Sequence, residues 1–393
     1  MGTTDRMADR VLRLGVVGLS RGFDLTRPTL AADPRVRLVA AADPRDEARA
    51  AFQAEFGAPA FDGAEALLAD PQVEAVYIAA PHQAHVALAL QAARAGKHVL
   101  VEKPMALSLA DCRLMTEAAT AAGAQLLVGP SHGFDPPVAW AADFIASGAF
   151  GRPRMVTATT FTDFLYRPRR PEELDTAQGG GVVFSQAAHQ VDVVRRLVGA
   201  PVLSVRAATG AWDPTRPTEG AYQAFLTFEG GASAVLTYSG YGHYDTDALM
   251  GWVGETGGPK DPAAYAVARR RLGTAPEDEL KAARAYGVAA PAPPPVGHEH
   301  FGFVLVACEG GDLRLTAAGV EIYGPRARRT VELPVGPGTR HGVIDELWAA
   351  VVEGRPPIHD GAWGTENLAV CLAILRSAAE AREVAITEIE DHP

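Results

Sequence analysis

Between Leu12 and about Val128, short apolar runs alternate with alanine-rich stretches of helical spacing. The runs LRLGVVGL, VRLVAAADP, AVYIAA, HVLVEK and QLLVG end at glycine, proline or a charge, and RDEARAAFQAEFG and AHVALALQAARAG lie among them. Strands apolar on both faces and separated by helices predict a parallel sheet covered on both sides. After Pro130 the pattern changes. MVTATTFTDF, VLSVRAATG, AYQAFLTFEGG, ASAVLTYSGYG and DLRLTAAGVEIYG are longer, β-branched or aromatic, and joined by glycine turns, with one helix at SQAAHQVDVVRRLVG. They predict an open, mostly antiparallel sheet in an α+β domain. Between Gly254 and Gly297 the strand pattern stops: DPAAYAVARRRLG and PEDELKAARAYG read as helices, and PAPPPVG as a stiff linker. The chain closes on two helical stretches, HGVIDELWAAVVEG and NLAVCLAILRSAAEAREV. The expected organisation is an α/β chain with a disordered tail over 1–10, a parallel-sheet domain over 11–130 and an α+β domain over 131–393, the last carrying a helical insertion at about 254–297.

Composition narrows the partners. A chain of 393 residues fits two domains, and no apolar run is long enough to span a bilayer. The net charge of -11 argues against nucleic acid or an anionic membrane as partner, so an anionic substrate has to be gathered by local arginine or lysine. Cys112, Cys308 and Cys371 are isolated, which speaks against a disulfide framework or a thiolate zinc site. With a polar start and no secretory core, the expected location is cytoplasmic.

The first strand runs into Gly18-Leu19-Ser20-Arg21-Gly22-Phe23. Of the three glycines in a G-x-G-x-x-G dinucleotide turn, only the first is in place; Ser20 and Phe23 stand at the others, and Gly22 is out of register. Asp43, at the end of the second strand, follows Gly18 by 25 residues, near the offset of about 20 expected for a ribose-binding carboxylate. Such a carboxylate repels a 2′-phosphate, so NAD is the expected cofactor on a doubly wound Rossmann sheet. Arg45 lies close enough to soften that preference, and Asp43-Pro44 also reads as a plain turn.

Three more segments follow in order: Pro81-His82-Gln83-Ala84-His85, then Glu102-Lys103-Pro104 after an apolar strand, then Gly179-Gly180-Gly181 ahead of Ser185, His189 and Asp192. Together they resemble the glucose–fructose oxidoreductase/inositol dehydrogenase (Gfo/Idh/MocA) family over nearly the whole chain. The resemblance implies that Lys103 and His189 are the catalytic pair and that Pro81, His82 and Glu102 lie along the cofactor with Gly18, Leu19, Ser20, Phe23 and Asp43. A lysine desolvated beside a cationic nicotinamide suits a general base; read alone, Glu102-Lys103 is equally a strand-end ion pair, and His189 a satisfied core histidine. The acid expected four residues before the histidine is replaced by Ser185, and Asp192 is expected to orient its own helix. His82/His85 and His298-Glu299-His300 lack a zinc-site pattern, so no metal is expected.

Arg167, Arg169 and Arg170 fall within four residues in an acidic chain. By composition they are either a carboxylate clamp or a solvated face. The segments LYRPRRPEEL, GGGVVFSQAAHQVDVVR, SGYGHYDTDALMGWVGE and KDPAAYAVARRRLG, with the insertion after Trp252, resemble the phthalate 4,5-cis-dihydrodiol dehydrogenase branch of that family. That resemblance implies oxidation of a cis-dihydrodiol dicarboxylate to 4,5-dihydroxyphthalate with reduction of NAD, with Asp163, Arg167, Arg169, Arg170 and Ser185 toward the substrate. A homo-oligomer joined through the open face of the second sheet is also expected. A polyol dehydrogenase of the same fold predicts an acid at 185 and no arginine cluster; a non-enzymatic NAD-binding regulator predicts loss of Lys103 and His189.

Overall fold

The computed structural model describes residues 10–289, 293–336 and 338–389. Of the expected disordered tail over 1–10, all but Arg10 lies outside the described residues. Strands β1 (Leu12–Val17), β2 (Val36–Ala42), β3 (Ala60–Phe61), β4 (Ala75–Ile78), β5 (His98–Val101) and β6 (Leu126–Val128) form one sheet in the order β3-β2-β1-β4-β5-β6. Every neighbouring pair is parallel. Strand order reverses between β1 and β4, so a crevice opens at their carboxyl ends, where such sheets bind ligands. Helices α1 (Arg21–Ala32), α2 (Asp46–Phe56), α3 (Ala64–Ala69), α4 (His85–Arg94) and α5 (Leu109–Ala121) connect the strands. Apolar residues on both sheet faces are buried, Leu14 and Val16 on one, Val76 and Val101 on the other. Each such side chain contributes roughly 1.5–3 kcal/mol on burial.

The second domain follows through α6 (Pro136–Ala146), β7 (Pro153–Phe161), α7 (Ala188–Val198), β8 (Val202–Gly210), β9 (Ala221–Phe228) and β10 (Ser233–Ser239). The insertion carries two short helices, α8 (Val267–Leu272) and α9 (Glu277–Ala282). Then come β11 (Phe303–Cys308), β12 (Gly311–Thr316), β13 (Gly319–Tyr323) and β14 (Arg328–Glu332). The chain ends with α10 (His341–Val352), α11 (Gly361–Glu380) and β15 (Val384–Ala385). Nine strands form the sheet β14-β13-β12-β11-β7-β10-β9-β8-β15, antiparallel except between β7 and β10.

Three features depart from the expected organisation. DLRLTAAGVEIYG, expected as one strand, is the hairpin β12–β13. The edge strand β14, RRTVE, has no apolar alternation and left no signal. The terminal helices also do not stay with the second domain: α10 buries Val343, Ile344, Leu347 and Trp348 in the core of the parallel sheet. Helix α11 splits its faces, with Leu368 and Ala369 against the first domain and Val370, Ala373 and Ile374 against the second sheet. The two domains are thereby held in one packed arrangement around the crevice.

Candidate active site

The loop after β1 is shaped by close approach. Gly18 has φ +91°, and a Cβ there would meet the backbone of Ala79 and Ala80 at 2.7–2.8 Å. Ser20 caps α1, its hydroxyl accepting from the Gly22 N–H (3.3 Å) and donating to the Ala79 carbonyl. The out-of-register Gly22 also has a steric reason, because a Cβ would fall 2.6 Å from Glu102 Oε1. Asp43 is buried: Oδ2 accepts from the Leu19 N–H at 2.7 Å, and Oδ1 from the Arg45 N–H at 2.9 Å. Arg45 also donates from Nε to Asp43 Oδ1 (3.0 Å) and from Nη2 to the Leu19 carbonyl (2.6 Å), tying the loop to the end of β2. A glycine turn against a helix N-terminus, with a carboxylate at the next strand end, fits a dinucleotide diphosphate and ribose. Phe23 is a correction. Its side chain is fully buried, 5.0 Å from Tyr286 and 6.1 Å from Phe52, so it fills the core beneath the loop and does not face a nucleotide.

Lys103 lies just past β5, and its Nζ donates to the Ser185 carbonyl at 2.7 Å. That carbonyl is presented by a π-helical turn, Val183–Ala187, leading into α7. Ser185 thus meets the lysine through its main chain. Burial pushes the Lys103 ammonium down to about 8, opposed by the carboxylates of Glu102 and Glu255 and helped by Arg340 and Arg169. Glu102 accepts from the Tyr77 hydroxyl at 2.6 Å. His189 is buried at the start of α7, its Nδ1 3.2 Å from Ser131 Oγ and its ring 5.1 Å from Phe301. Burial first, then the charges of Lys103 and His132, hold it far below the usual imidazole value, so the ring is neutral. His82 is lowered to about 3 by burial and then by His85 and Lys103. Both His85 ring nitrogens lie 3.0 Å from backbone carbonyls, of Pro104 and Ala80, which leaves neither for a metal shared with His82.

Several residues here escaped the sequence. His132 Nδ1 is 2.6 Å from Asp135 Oδ2, its ring is 4.7 Å from His189, and its Nε2 is 4.0 Å from Glu255. Burial opposes the imidazolium, but Asp135, Glu299 and Glu255 outweigh it and raise the pKa. Arg340 donates from Nε to Glu299 (3.1 Å) and from Nη1 to Thr26 (3.0 Å). The sequence signals were a histidine three residues ahead of an aspartate and Glu299 within His298-Glu299-His300; Glu255, Glu299 and Arg340 are remote from His132 in the chain. His132, Asp135 and Glu299 bring their ligand atoms within 4.8 Å of one another, as a metal site does. Those atoms are already engaged in the His132–Asp135 pair and in contacts of Glu299 to Thr339 and Arg340, a donor set that reads as an ion-pair network.

The three arginines separate. Arg167 donates to Asp163 (3.1 Å), Glu255 (3.2 Å) and Thr162 (2.9 Å). Arg169 lies over the Phe164 ring at 3.6 Å and gives Nη2 to the Phe164 carbonyl, while its Nε is buried and has no hydrogen-bond partner among the described residues. Arg170 is at the rim, its Nε 2.6 Å from Glu172. Asp192 does more than orient its own helix: it accepts from the Gly133 N–H (2.9 Å), Trp363 Nε1 (2.7 Å) and Asn367 (3.3 Å).

A sequence profile described as "Oxidoreductase family, NAD-binding Rossmann fold" matches residues 12–130, and the GFO/IDH/MocA C-terminal domain matches residues 138–258. The chain belongs to the Gfo/Idh/MocA family. It is an NAD-dependent oxidoreductase of that family. It is 43% identical, over 93% of its length and 94% of the relative's, to 1-carboxy-3-chloro-3,4-dihydroxycyclohexa-1,5-diene dehydrogenase of Comamonas testosteroni. It is 29% identical to myo-inositol 2-dehydrogenase of Thermotoga maritima, over 49% of this chain and 57% of the relative. Among solved structures, a putative dehydrogenase from Bordetella bronchiseptica RB50 superposes with a TM-score of 0.92 at 40% identity, covering 95% of this chain and all of that one (100%). Among the described residues, no helix of this Gfo/Idh/MocA chain is long and apolar enough to cross a membrane.

Proposed function

We propose that the protein oxidises a carboxylated cis-dihydrodiol, with the phthalate 4,5-cis-dihydrodiol as substrate, to the matching catechol. One observation carries the reading: Lys103, brought down to about 8 in a buried site, lies within electrostatic reach of Arg169, whose Nε lacks a partner among the described residues. The name of the Comamonas relative, with a carboxyl group and a vicinal diol on a cyclohexadiene, supports the same class. Bound NAD supplies the hydride acceptor. Lys103 takes the proton of the carbinol hydroxyl, and the Ser185 carbonyl holds its amine in place through the 2.7 Å hydrogen bond. Neutral His189 and the hydrogen-bonded His132–Asp135 pair line the same wall, where His189 can accept a hydrogen bond from the second hydroxyl. The resulting ketone tautomerises, its ring proton replaced by one on the carbonyl oxygen to give the aromatic catechol, so the base need not be strong.

The test is initial rates of NADH formation with phthalate, benzoate and neutral cis-dihydrodiols. Carboxylated diols are expected to be preferred at least tenfold in kcat/KM; equal turnover of neutral diols or inositol overturns the assignment. The same proposal extends to assembly through the open face of the nine-stranded sheet, where Met155, Phe225 and Val235 are exposed by 60%, 46% and 42%.

A further inference from the structure

The insertion bridges both sides of the crevice. Toward the second domain, Glu277 of α9 accepts from Arg216 (2.7 Å) and the Arg169 N–H (2.5 Å), and Lys281 pairs with Glu173. Toward the Rossmann domain, the Tyr286 ring meets Phe23 edge-on at 5.0 Å, and its hydroxyl donates to Glu55 at 2.7 Å. Gly287 lies so near α2 that a Cβ would come 3.1 Å from Ala51 Cβ and from the Glu47 carbonyl.

Arg284 stands between these two anchorages. Its guanidinium is partly buried, and among the described residues it has no side-chain hydrogen bond or ion pair. The charges acting on it are chiefly of its own sign: Arg167 first, then Arg21 beside the nucleotide loop and Arg271, with Asp163 weaker. Burial and these neighbours lower it to about 10, still charged at neutral pH. Arg169 is lowered to about 10 by burial, with Arg167 and Arg284 among the charges pressing on it. An unpaired, partly desolvated cation facing others is costly, and an anion among them removes the cost.

We propose that Arg284 is an anion ligand carried by the insertion, meeting either a carboxylate of the substrate or the diphosphate of the dinucleotide as these span the crevice from Arg167 to Arg21. The insertion would then be a specificity element, anchored on both domains so that one guanidinium faces the bound molecules. The carboxylate arm rests on the substrate class proposed above; the diphosphate arm does not.

The experiment compares wild type with Arg284→Gln and Arg284→Lys in two binding assays. NADH affinity is read by fluorescence titration, and phthalate affinity by calorimetry on the NADH-loaded enzyme. Loss of a charge-assisted contact of ~1.5–3 kcal/mol predicts that Arg284→Gln weakens one of the two ligands by roughly 10- to 150-fold. Arg284→Lys should regain part of that loss, since it keeps the charge without the planar fork. If thermal unfolding shows Arg284→Gln to be misfolded, Arg284→Lys decides by the same comparison. Affinities within twofold of wild type in both assays overturn the assignment. A wild type that ignores phthalate sinks the substrate reading, and the NADH assay alone then decides the role of Arg284.

Discussion

At the scale of single residues, two side chains carry the proposed chemistry. Lys103 can serve as the proposed base only when neutral, and its pKa of about 8 makes that fraction fall as pH drops. The expected kcat/KM therefore climbs about tenfold per pH unit below that value and levels above it. Lys103→Ala should lower kcat by ~10²–10⁴, the range for a positioned acid–base group, and leave NADH affinity nearly unchanged. Survival of turnover within a few-fold in stopped-flow assays contradicts this. Asp43 is tied to Leu19 and Arg45, so its loss affects both loop geometry and cofactor choice. Asp43→Ser should weaken NAD use and release Arg45 toward a 2′-phosphate; steady-state comparison of NAD with NADP checks it, and equal use of both by wild type refutes the role.

At the scale of elements, α7 depends on what Asp192 holds. The buried carboxylate ties α7 to the Gly133 turn and to α11. Burial opposes its charge, but His359 and the Trp363 hydrogen bond outweigh burial and lower the pKa. A lowered carboxylate stabilises the fold fully above the unfolded value of about 3.9 and loses that contribution as pH falls through the folded value. Asp192→Ala leaves several buried donors unmatched and should cost about 3 kcal/mol. Denaturant melts at pH 7 measure it, and a cost below ~1 kcal/mol would show the network to be redundant. The spacing of His189 and Asp192 in one helix was readable in the chain. Their partners on the His132 turn and on α11 were not, because those contacts join residues 59 and 171 positions away.

For the whole molecule, the proposal to be tested is assembly through the open sheet face. Phe225 and Val235 are directly paired across β9 and β10, and an exposed apolar surface of this kind marks an interface. Light scattering should find an oligomer for the wild type and a smaller species for Phe225→Glu combined with Val235→Glu. A wild-type monomer at micromolar concentration contradicts the proposal.

Much of the architecture was legible from periodicity, since a buried parallel strand and a half-exposed antiparallel one leave different patterns. The Rossmann strands, the long strands β7 to β10 and helix α7 all appear as local runs, and Gly18, Asp43, Lys103 and His189 stand near the ends of those runs. Some features only folding decided. Phe23 turned into the core because Tyr286 of the insertion covers it, and Gly22 was required because Glu102 packs over it. Helix α10 joined the first domain because its apolar face fits the parallel sheet, a choice that amphipathic spacing alone does not encode. The sequence grouped Arg167, Arg169 and Arg170 by proximity, whereas the fold paired Arg167 with Glu255, placed Arg169 on Phe164 and left Arg284, more than a hundred residues on, without a side-chain partner among the described residues. Charge pairing acts through space, so the chain determined which charged residues were present and the tertiary structure decided which were neutralised.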